Sequence, residues 1–191
     1  PRDSERLAWM AELQRVLRDG DVHAVFQPVI NLEDGAEVGL EAFTRGPDIS
    51  VFHLPRVMFS VGREAGLAGE LDRLCRHSAF EALAGGVAPR VLFVNTTADS
   101  LVDPDWWAPE TLAAMRRAGL DPSHVVLEVN ESSVAENPDG FRDAIDWLRS
   151  VGYRLSLDDV GSSQHTSLIV EKLRPEFLKF DLTLVRGIEG D

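Results

Sequence analysis

The chain has 191 residues, of which 44% are hydrophobic and 27% are charged, and its formal net charge is −13. This composition is typical of a single folded domain and excludes disordered and fibrous proteins. The negative charge argues against duplex nucleic acid as a partner, and no apolar run approaches the roughly 18 residues of a membrane span. The single cysteine, Cys75, excludes an intramolecular disulfide and is consistent with a reducing compartment, so we expect a cytoplasmic protein without membrane contact from this segment.

The first third of the chain predicts one helix followed by a β-hairpin. Apolar residues recur at helical spacing over residues 4–18, and two apolar-rich runs, 23–32 and 37–44, flank a turn at Gly35. Helical segments then alternate with short apolar strands. The helices are expected at residues 55–65, 70–84, 108–118, 141–151 and 168–173, and the strands at residues 91–94, 125–127, 154–157 and 177–180.

This alternation predicts an α/β fold with parallel strands, either a barrel or a doubly wound sheet. Six strands fit in the chain, whereas a closed eight-stranded barrel takes about 250 residues. A barrel would therefore be incomplete, and its last strand would leave an unpaired edge. We expect that edge to be covered in a homo-oligomer or non-standard assembly, by a partner chain, or by the remainder of a longer chain.

Nearly every predicted strand ends in a side chain that carries oxygen. The carboxyl ends of parallel barrel strands converge on one mouth, where ligands bind. Carboxylates gathered there would repel one another unless cations neutralised them, and hard ions such as Mg²⁺ or Mn²⁺ prefer oxygen ligands. A single residue of this kind is more often a turn former or a helix N-cap, but five in succession favour a site. The five are Glu41, Asn95, Glu128, Asp158 and Asp159.

The last two predicted strands strengthen this interpretation. The pair Asp158-Asp159 follows an apolar strand and precedes Val160 rather than a helical pattern, which a simple cap does not explain. Lys179 and Asp181 lie two residues apart and are expected on one face of the last strand. Inside a barrel an ammonium group would need a carboxylate or phosphate partner.

Other conspicuous residues are better explained by packing. Cys75 lies in a helical pattern and is expected to be a small core residue, and Trp106 and Trp107 are expected to pack at the start of a helix. The five histidines show no metal-ligand spacing, and there is no P-loop or glycine-rich dinucleotide motif.

Six short motifs together resemble one known family, the EAL-domain phosphodiesterases of bacterial cyclic di-GMP signalling. The resemblance spans nearly the whole chain, with the motifs in the family's order and at plausible spacing. They are Gln27-Pro28-Val29, Glu41-Ala42-Phe43, Phe93-Val94-Asn95, Leu127-Glu128-Val129-Asn130-Glu131, Leu157-Asp158-Asp159-Val160-Gly161 and Leu178-Lys179-Phe180-Asp181.

The resemblance implies a TIM-like barrel whose first strand runs antiparallel to the others. It also implies hydrolysis of cyclic di-GMP to linear pGpG with two Mg²⁺ or Mn²⁺ ions. The catalytic residues would be Lys179, which holds or polarises the attacking water, together with Glu41 and Asp158. By the same resemblance, the ligands of the first metal would be Glu41, Asn95, Glu128 and Asp158, and the second metal would involve Asp159. The substrate would contact Gln27, Arg45 and Asp181. Glu131 would brace the loop after Asp159.

The chain departs from the family pattern in three places. Phe43 replaces the leucine of the naming motif, and residues 159–165 differ from the usual Asp-Phe-Gly-Thr-Gly-Tyr loop, which couples dimer contacts to the second metal. The family's later strands, which carry another glutamate and a glutamine, do not occur within residues 1–191, so we expect one EAL-type domain without its last strands. Such a chain is expected to be inactive as it stands. The alternatives are a non-catalytic module that binds cyclic di-GMP or a protein, and an unrelated metal-dependent lyase with Lys179 as its base.

Overall fold

The computed structural model describes residues 3–135, 137–161 and 165–186, which form six strands and eight α-helices. Short 3₁₀ turns join several of these elements. The strands are β1 His23–Ile30, β2 Glu37–Arg45, β3 Leu92–Asn95, β4 Val125–Asn130, β5 Arg154–Val160 and β6 Phe177–Phe180. The helices are α1 Asp3–Asp19, α2 Pro55–Ala65, α3 Ala68–Leu83, α4 Pro109–Arg117, α5 Glu131–Val134, α6 Arg142–Ser150, α7 Thr166–Leu173 and α8 Leu182–Val185.

All six strands form one sheet in the order of the chain, β1-β2-β3-β4-β5-β6. β1 and β2 are antiparallel and joined by a turn in which Gly35 has a φ of +71°, a conformation that glycine adopts without steric cost. Every later pair of neighbours is parallel. The predicted hairpin and the antiparallel first strand are therefore confirmed.

The two faces of the sheet have different partners, which decides between the two predicted architectures. The outer face packs against the helices in the main hydrophobic core, to which Leu92, Leu127 and Leu155 belong. The inner face holds a separate small cluster of strand residues, built on Val91, Phe93 and Val126 with Val29 and Phe177 against it. The sheet is thus a half-barrel with helices outside rather than a doubly wound sheet.

Glycine is required at one position of the inner face because two backbone segments approach closely. A Cβ atom on Gly39 of β2 would lie 2.3 Å from the carbonyl oxygen of Val91, just before β3. The neighbouring amide of Leu40 donates to the same oxygen at 2.9 Å. The junction of the hairpin with the parallel strands therefore depends on a residue without a side chain.

The residues that were expected to pack do so where the structure describes them. Cys75 is buried in a second core between α1, α2 and α3, and burial raises the pKa of its thiol to about 12. Trp106 is completely buried, and its indole N–H donates to the carbonyl oxygen of Ser100 at 2.8 Å. The side chain of Trp107 and the loop residues 162–164 lie outside the described part of the structure.

One placement predicted for the last strand is wrong. β6 ends at Phe180, so Asp181 lies one residue beyond the strand that carries Lys179. Asp181 is instead the N-cap of α8, where its carboxylate accepts hydrogen bonds from the amide and hydroxyl of Thr183 at 2.7 and 2.5 Å. A short helix follows directly because this cap satisfies the amides that a helix start leaves unpaired.

The far edge of the half-barrel is apolar. Among the described residues β6 pairs with β5 alone, and Phe180 in β6 and Leu182 in α8 are 61% and 57% exposed. No helix of the described residues is long and apolar enough to cross a membrane.

Candidate active site

The strand register brings most of the predicted site residues to the carboxyl ends of neighbouring strands. Gln27 pairs with Glu41 across the hairpin, and Asn95 of β3 pairs with Glu128 of β4. Farther along, Asn130 pairs with Asp158 of β5. Paired residues in adjacent strands share a face of the sheet, so these side chains belong to one mouth.

Three carboxylates surround the ammonium group of Lys179. Its Nζ lies 2.7 Å from Glu41 Oε1, 3.0 Å from Glu128 Oε1 and 3.9 Å from Asp158 Oδ1. The Glu128 side chain has no exposed surface, whereas that of Lys179 is 31% exposed. The cluster therefore has a buried floor at Glu128 and an opening at Lys179.

Burial and crowding shift the pKa values of these groups. Burial, with added repulsion from Glu41, raises the pKa of Glu128 to about 8, although the attraction of Lys179 opposes the shift. Burial is also the main cause of a raised pKa at Asp158. Burial alone would lower the pKa of Lys179, but its ion pairs with Glu128 and Glu41 outweigh this and raise it. One ammonium group thus leaves this set of carboxylates short of positive charge.

The chemistry of the cluster fits a hard dication. Both oxygens of the Glu128 carboxylate are buried, and neither has a well-formed hydrogen bond among the described residues. Within residues 3–135, 137–161 and 165–186, no group of three or more His, Cys, Asp or Glu side chains is arranged to hold a metal ion, and the carboxylates are gathered about Lys179 instead. A bound dication would compete with this ammonium group for the same oxygens.

The second aspartate of the pair occupies an irregular segment of β5. The register between β5 and β6 shifts between Leu157 and Val160, and Asp159 has a φ of +57°. Such irregularities re-aim side chains next to active sites. The carboxylate of Asp159 accepts a hydrogen bond from Asn130 Nδ2 at 2.5 Å, which ties this segment to the end of β4.

Glu131 lies completely buried beneath the same segment. Its Oε2 accepts a hydrogen bond from the amide of Gly161 at 3.0 Å, and its Oε1 accepts one from the hydroxyl of Thr166. The carboxylate thus joins the end of β5 to the start of α7. Since residues 162–164 lie outside the described structure, these contacts concern the two ends of the loop only.

The remaining predicted residues, Asn95, Arg45, Gln27 and Asp181, make no described contact with Lys179. Asn95 Nδ2 donates to the carbonyl oxygen of Ala42 at 3.4 Å, and Arg45 Nη1 donates to that of Thr44 at 2.8 Å. Asn95 also lines a cavity of about 870 Å³ that extends between α1, α2 and the end of β2. Gln27 is exposed on β1, and the Asp181 carboxylate is used in its cap.

A buried ion network behind the mouth was not predicted from the sequence. Arg76 of α3 is completely buried and pairs with Asp72 and Asp103, while Asp72 accepts the amide of Thr97 at 2.7 Å. Thr97 lies two residues after Asn95, so the network anchors the loop that follows β3. The spacing of Asp72 and Arg76 by four residues was a signal for a helical pair, but it did not indicate burial.

Comparison with known proteins agrees with this geometry. The chain matches the EAL domain family over residues 10–191. It belongs to the EAL domain family. It is 30% identical to the cyclic di-GMP phosphodiesterase NbdA of Pseudomonas aeruginosa, over 98% of this chain and 24% of that protein. The chain thus spans about a quarter of the length of this relative.

Solved EAL structures share the fold. The FimX EAL domain from Pseudomonas aeruginosa bound to cyclic di-GMP superposes with a TM-score of 0.79 and 25% identity, over 95% of this chain and 74% of that one. The calcium and cyclic di-GMP complex of Klebsiella pneumoniae BlrP1 gives a TM-score of 0.70 and 26% identity, over 88% of this EAL chain and 42% of that one.

Proposed function

We propose that this EAL domain binds cyclic di-GMP and carries the site of a cyclic di-GMP phosphodiesterase, which opens one phosphodiester bond with water to give linear pGpG. The convergence of Glu41, Glu128 and Asp158 on Lys179 is the observation that carries the proposal. Membership of the family and the nucleotide in the FimX and BlrP1 structures support the choice of substrate.

The proposed cofactors are two Mg²⁺ or Mn²⁺ ions. Glu41, Asn95, Glu128 and Asp158 would hold the first and Asp159 would contribute to the second. When bound, such ions lower the pKa of a coordinated water and stabilise charge on the entering and leaving oxygens of an in-line displacement. The burial of Glu128 supports this assignment, because one ammonium group, that of Lys179, faces three carboxylates and a dication would add positive charge beside them.

Side chains of this chain would orient the attacking water, contact the nucleotide and support the loop after Asp159. Lys179, held by Glu41 and Glu128, would orient and polarise the attacking water. Arg45 and Gln27, on the same face as Glu41, would contact the nucleotide, Arg45 through a phosphate. Glu131 would keep the segment after Asp159 in place through Gly161.

The 191-residue chain is proposed to bind ligand without turnover. The family's later strands, which carry another glutamate and a glutamine, do not occur within residues 1–191, so this chain does not supply every side chain that the resemblance implies for turnover. A non-catalytic module that binds cyclic di-GMP is the second candidate, favoured by the same half-barrel and by the ion pairs that already neutralise part of the cluster. Hydrolysis of cyclic di-GMP by a longer protein, in which these six strands are continued to a complete barrel, distinguishes the two.

The decisive experiment is calorimetric titration of the metal-free protein with Mn²⁺ and then with cyclic di-GMP. We expect Asp158→Asn to weaken Mn²⁺ binding by at least about 10-fold because it removes a charged ligand. Asp146→Asn, which removes an exposed carboxylate on α6, is the matched control. Anion-exchange chromatography of the mixture would report pGpG, and unchanged Mn²⁺ binding in Asp158→Asn would contradict the site.

The apolar edge at β6 is proposed to be covered in solution by a second copy of the chain. The exposure of Phe180 and Leu182 supports association, as does the outer edge of β6, which no other strand of the described residues covers. A monodisperse monomer in light scattering at high protein concentration would contradict it.

A cytoplasmic location is also proposed. It is supported by a nucleotide signal as the proposed ligand and by the buried Cys75 thiol, which forms no disulfide.

A further inference from the structure

One buried polar side chain on the inner face of the sheet has no role in the proposed mechanism. Ser156 of β5 is completely buried, yet its hydroxyl oxygen has no hydrogen-bond partner among the described residues. Buried hydroxyl groups in folded proteins are nearly always hydrogen-bonded, because desolvation costs them free energy. The lack of a hydrogen-bond partner for the Ser156 hydroxyl among the described residues therefore needs a structural explanation.

The strand register identifies what this hydroxyl faces. Ser156 pairs with Glu128 of β4 on one side and with Phe177 of β6 on the other. Residues paired across parallel strands are neighbours on one face, with strands about 4.8 Å apart. Phe177 offers no hydrogen bond, so Glu128 is the polar neighbour of Ser156 in this row.

Glu128 lacks well-formed hydrogen bonds at the same place. Both of its carboxylate oxygens are buried without such a partner, although Oε1 lies at ion-pair distance from Lys179. The Ser156 hydroxyl is a donor without an acceptor, and Oε2 of Glu128 is an acceptor without a hydrogen-bond donor among the described residues, so the two groups are complementary. A third unsatisfied group, Nε of Arg154, lies two residues before Ser156 on the same strand. One ordered water could be held by partners of this kind, since it needs two to four of them.

We propose that Ser156 is a positioning residue that acts through Glu128. Its hydroxyl donates a hydrogen bond to the Glu128 carboxylate, directly after side-chain rotation or through one buried water, and so fixes the orientation in which the carboxylate meets a dication. This inference rests on the proposed metal-dependent function. Partners behind a metal ligand fix its orientation, and their loss costs about 10–100-fold in metal affinity.

The test is Ser156→Ala, studied by Mn²⁺ titration calorimetry and by thermal unfolding of the metal-free protein. We expect Mn²⁺ affinity to fall by about 10-fold or more, while the melting temperature stays equal to that of the wild type or rises. Ser78→Ala is the matched control, because Ser78 is a half-buried serine of α3 whose hydroxyl donates to the Val22 carbonyl oxygen at 3.4 Å. It should leave Mn²⁺ affinity unchanged.

The outcomes separate this inference from the function on which it rests. If the wild-type protein binds no Mn²⁺, the proposed function itself is overturned. If the wild type binds Mn²⁺ and Ser156→Ala binds it equally well, only the role of Ser156 is overturned. The same holds if the melting temperature falls in step with the affinity, or if a high-resolution crystal structure shows the Ser156 hydroxyl bonded neither to Glu128 nor to a water that Glu128 shares.

Discussion

The ammonium group of Lys179 lies 3.0 Å from Oε1 of Glu128, whose side chain is fully shielded from solvent. This pair joins β6 to β4 across the inner face and makes Lys179 a structural cation as well as a proposed catalytic residue. Removing Lys179 would leave the buried Glu128 carboxylate without its cation, whereas removing Glu128 would leave Lys179 paired with Glu41.

Lys179→Met tests the structural part of this role. We expect the metal-free variant to lose about 1–3 kcal/mol of stability in urea denaturation, because the carboxylates lose their cation. Excess Mn²⁺ should restore more stability to this variant than it adds to the wild type, since no ammonium competes for the oxygens. Lys172→Met is the control, because Lys172 pairs with the exposed Asp139 and should cost less than about 1 kcal/mol. Equal losses in the two variants would contradict the assignment.

The raised pKa of Glu128 predicts a pH dependence of stability in the metal-free protein. Its pKa is about 8 in the folded chain against an ordinary value of 4.5, so between these pH values the folded state holds a proton that the unfolded state has lost. This contribution to stability is fully present below pH 4.5, decreases as the pH rises from 4.5 towards 8, and is lost once the pH has passed 8. Lys179, with a raised pKa, stays protonated throughout this window.

Glu128→Gln should flatten this dependence. The variant is expected to match the wild type below pH 4.5, where the wild-type carboxyl is neutral in both the folded and the unfolded state, and to exceed its stability at pH 8.5. Urea denaturation in the presence of EDTA at several pH values measures the difference. Parallel curves for the two proteins would show that Glu128 titrates normally.

Glu131→Gln tests the buried anchor of the segment after β5. The substitution replaces a charged acceptor for the Gly161 amide by a weaker neutral one, a loss of about 1–2 kcal/mol. Hydrogen exchange at Gly161 should accelerate by about 10-fold, as measured by NMR or mass spectrometry. Glu110→Gln, at an exposed position in the first turn of α4, should leave that exchange rate unchanged.

Gly39→Ala tests the close approach of β2 to the segment before β3. The new methyl group would meet the Val91 carbonyl oxygen at 2.3 Å, so we expect a loss of about 2 kcal/mol and a lower melting temperature. Gly69→Ala in α3 is the matched control, since no atom lies within 4 Å of its added methyl group, and it should stabilise by about 0.4–1 kcal/mol. A neutral effect at Gly39 would contradict the register between β2 and β3.

Much of this protein could be predicted from the sequence because the deciding signals are local. The order of helices and strands follows from apolar spacing, which reflects the 3.6-residue period of helices and the two-residue period of strands. Polar residues that follow apolar strands, such as Glu128 and Asp158, indicate the mouth from the sequence alone.

Only the tertiary structure decided which of those residues meet. The contact of Lys179 with Glu41 and Glu128, the burial of Asp72 with Arg76, and the pairing of Ser156 with Glu128 all depend on strand direction and register. Register is set by packing between segments far apart in sequence, so local periodicity does not contain it. Asp181 illustrates the limit, because its two-residue spacing from Lys179 suggested a shared face, whereas the chain leaves the strand one residue earlier to begin a helix.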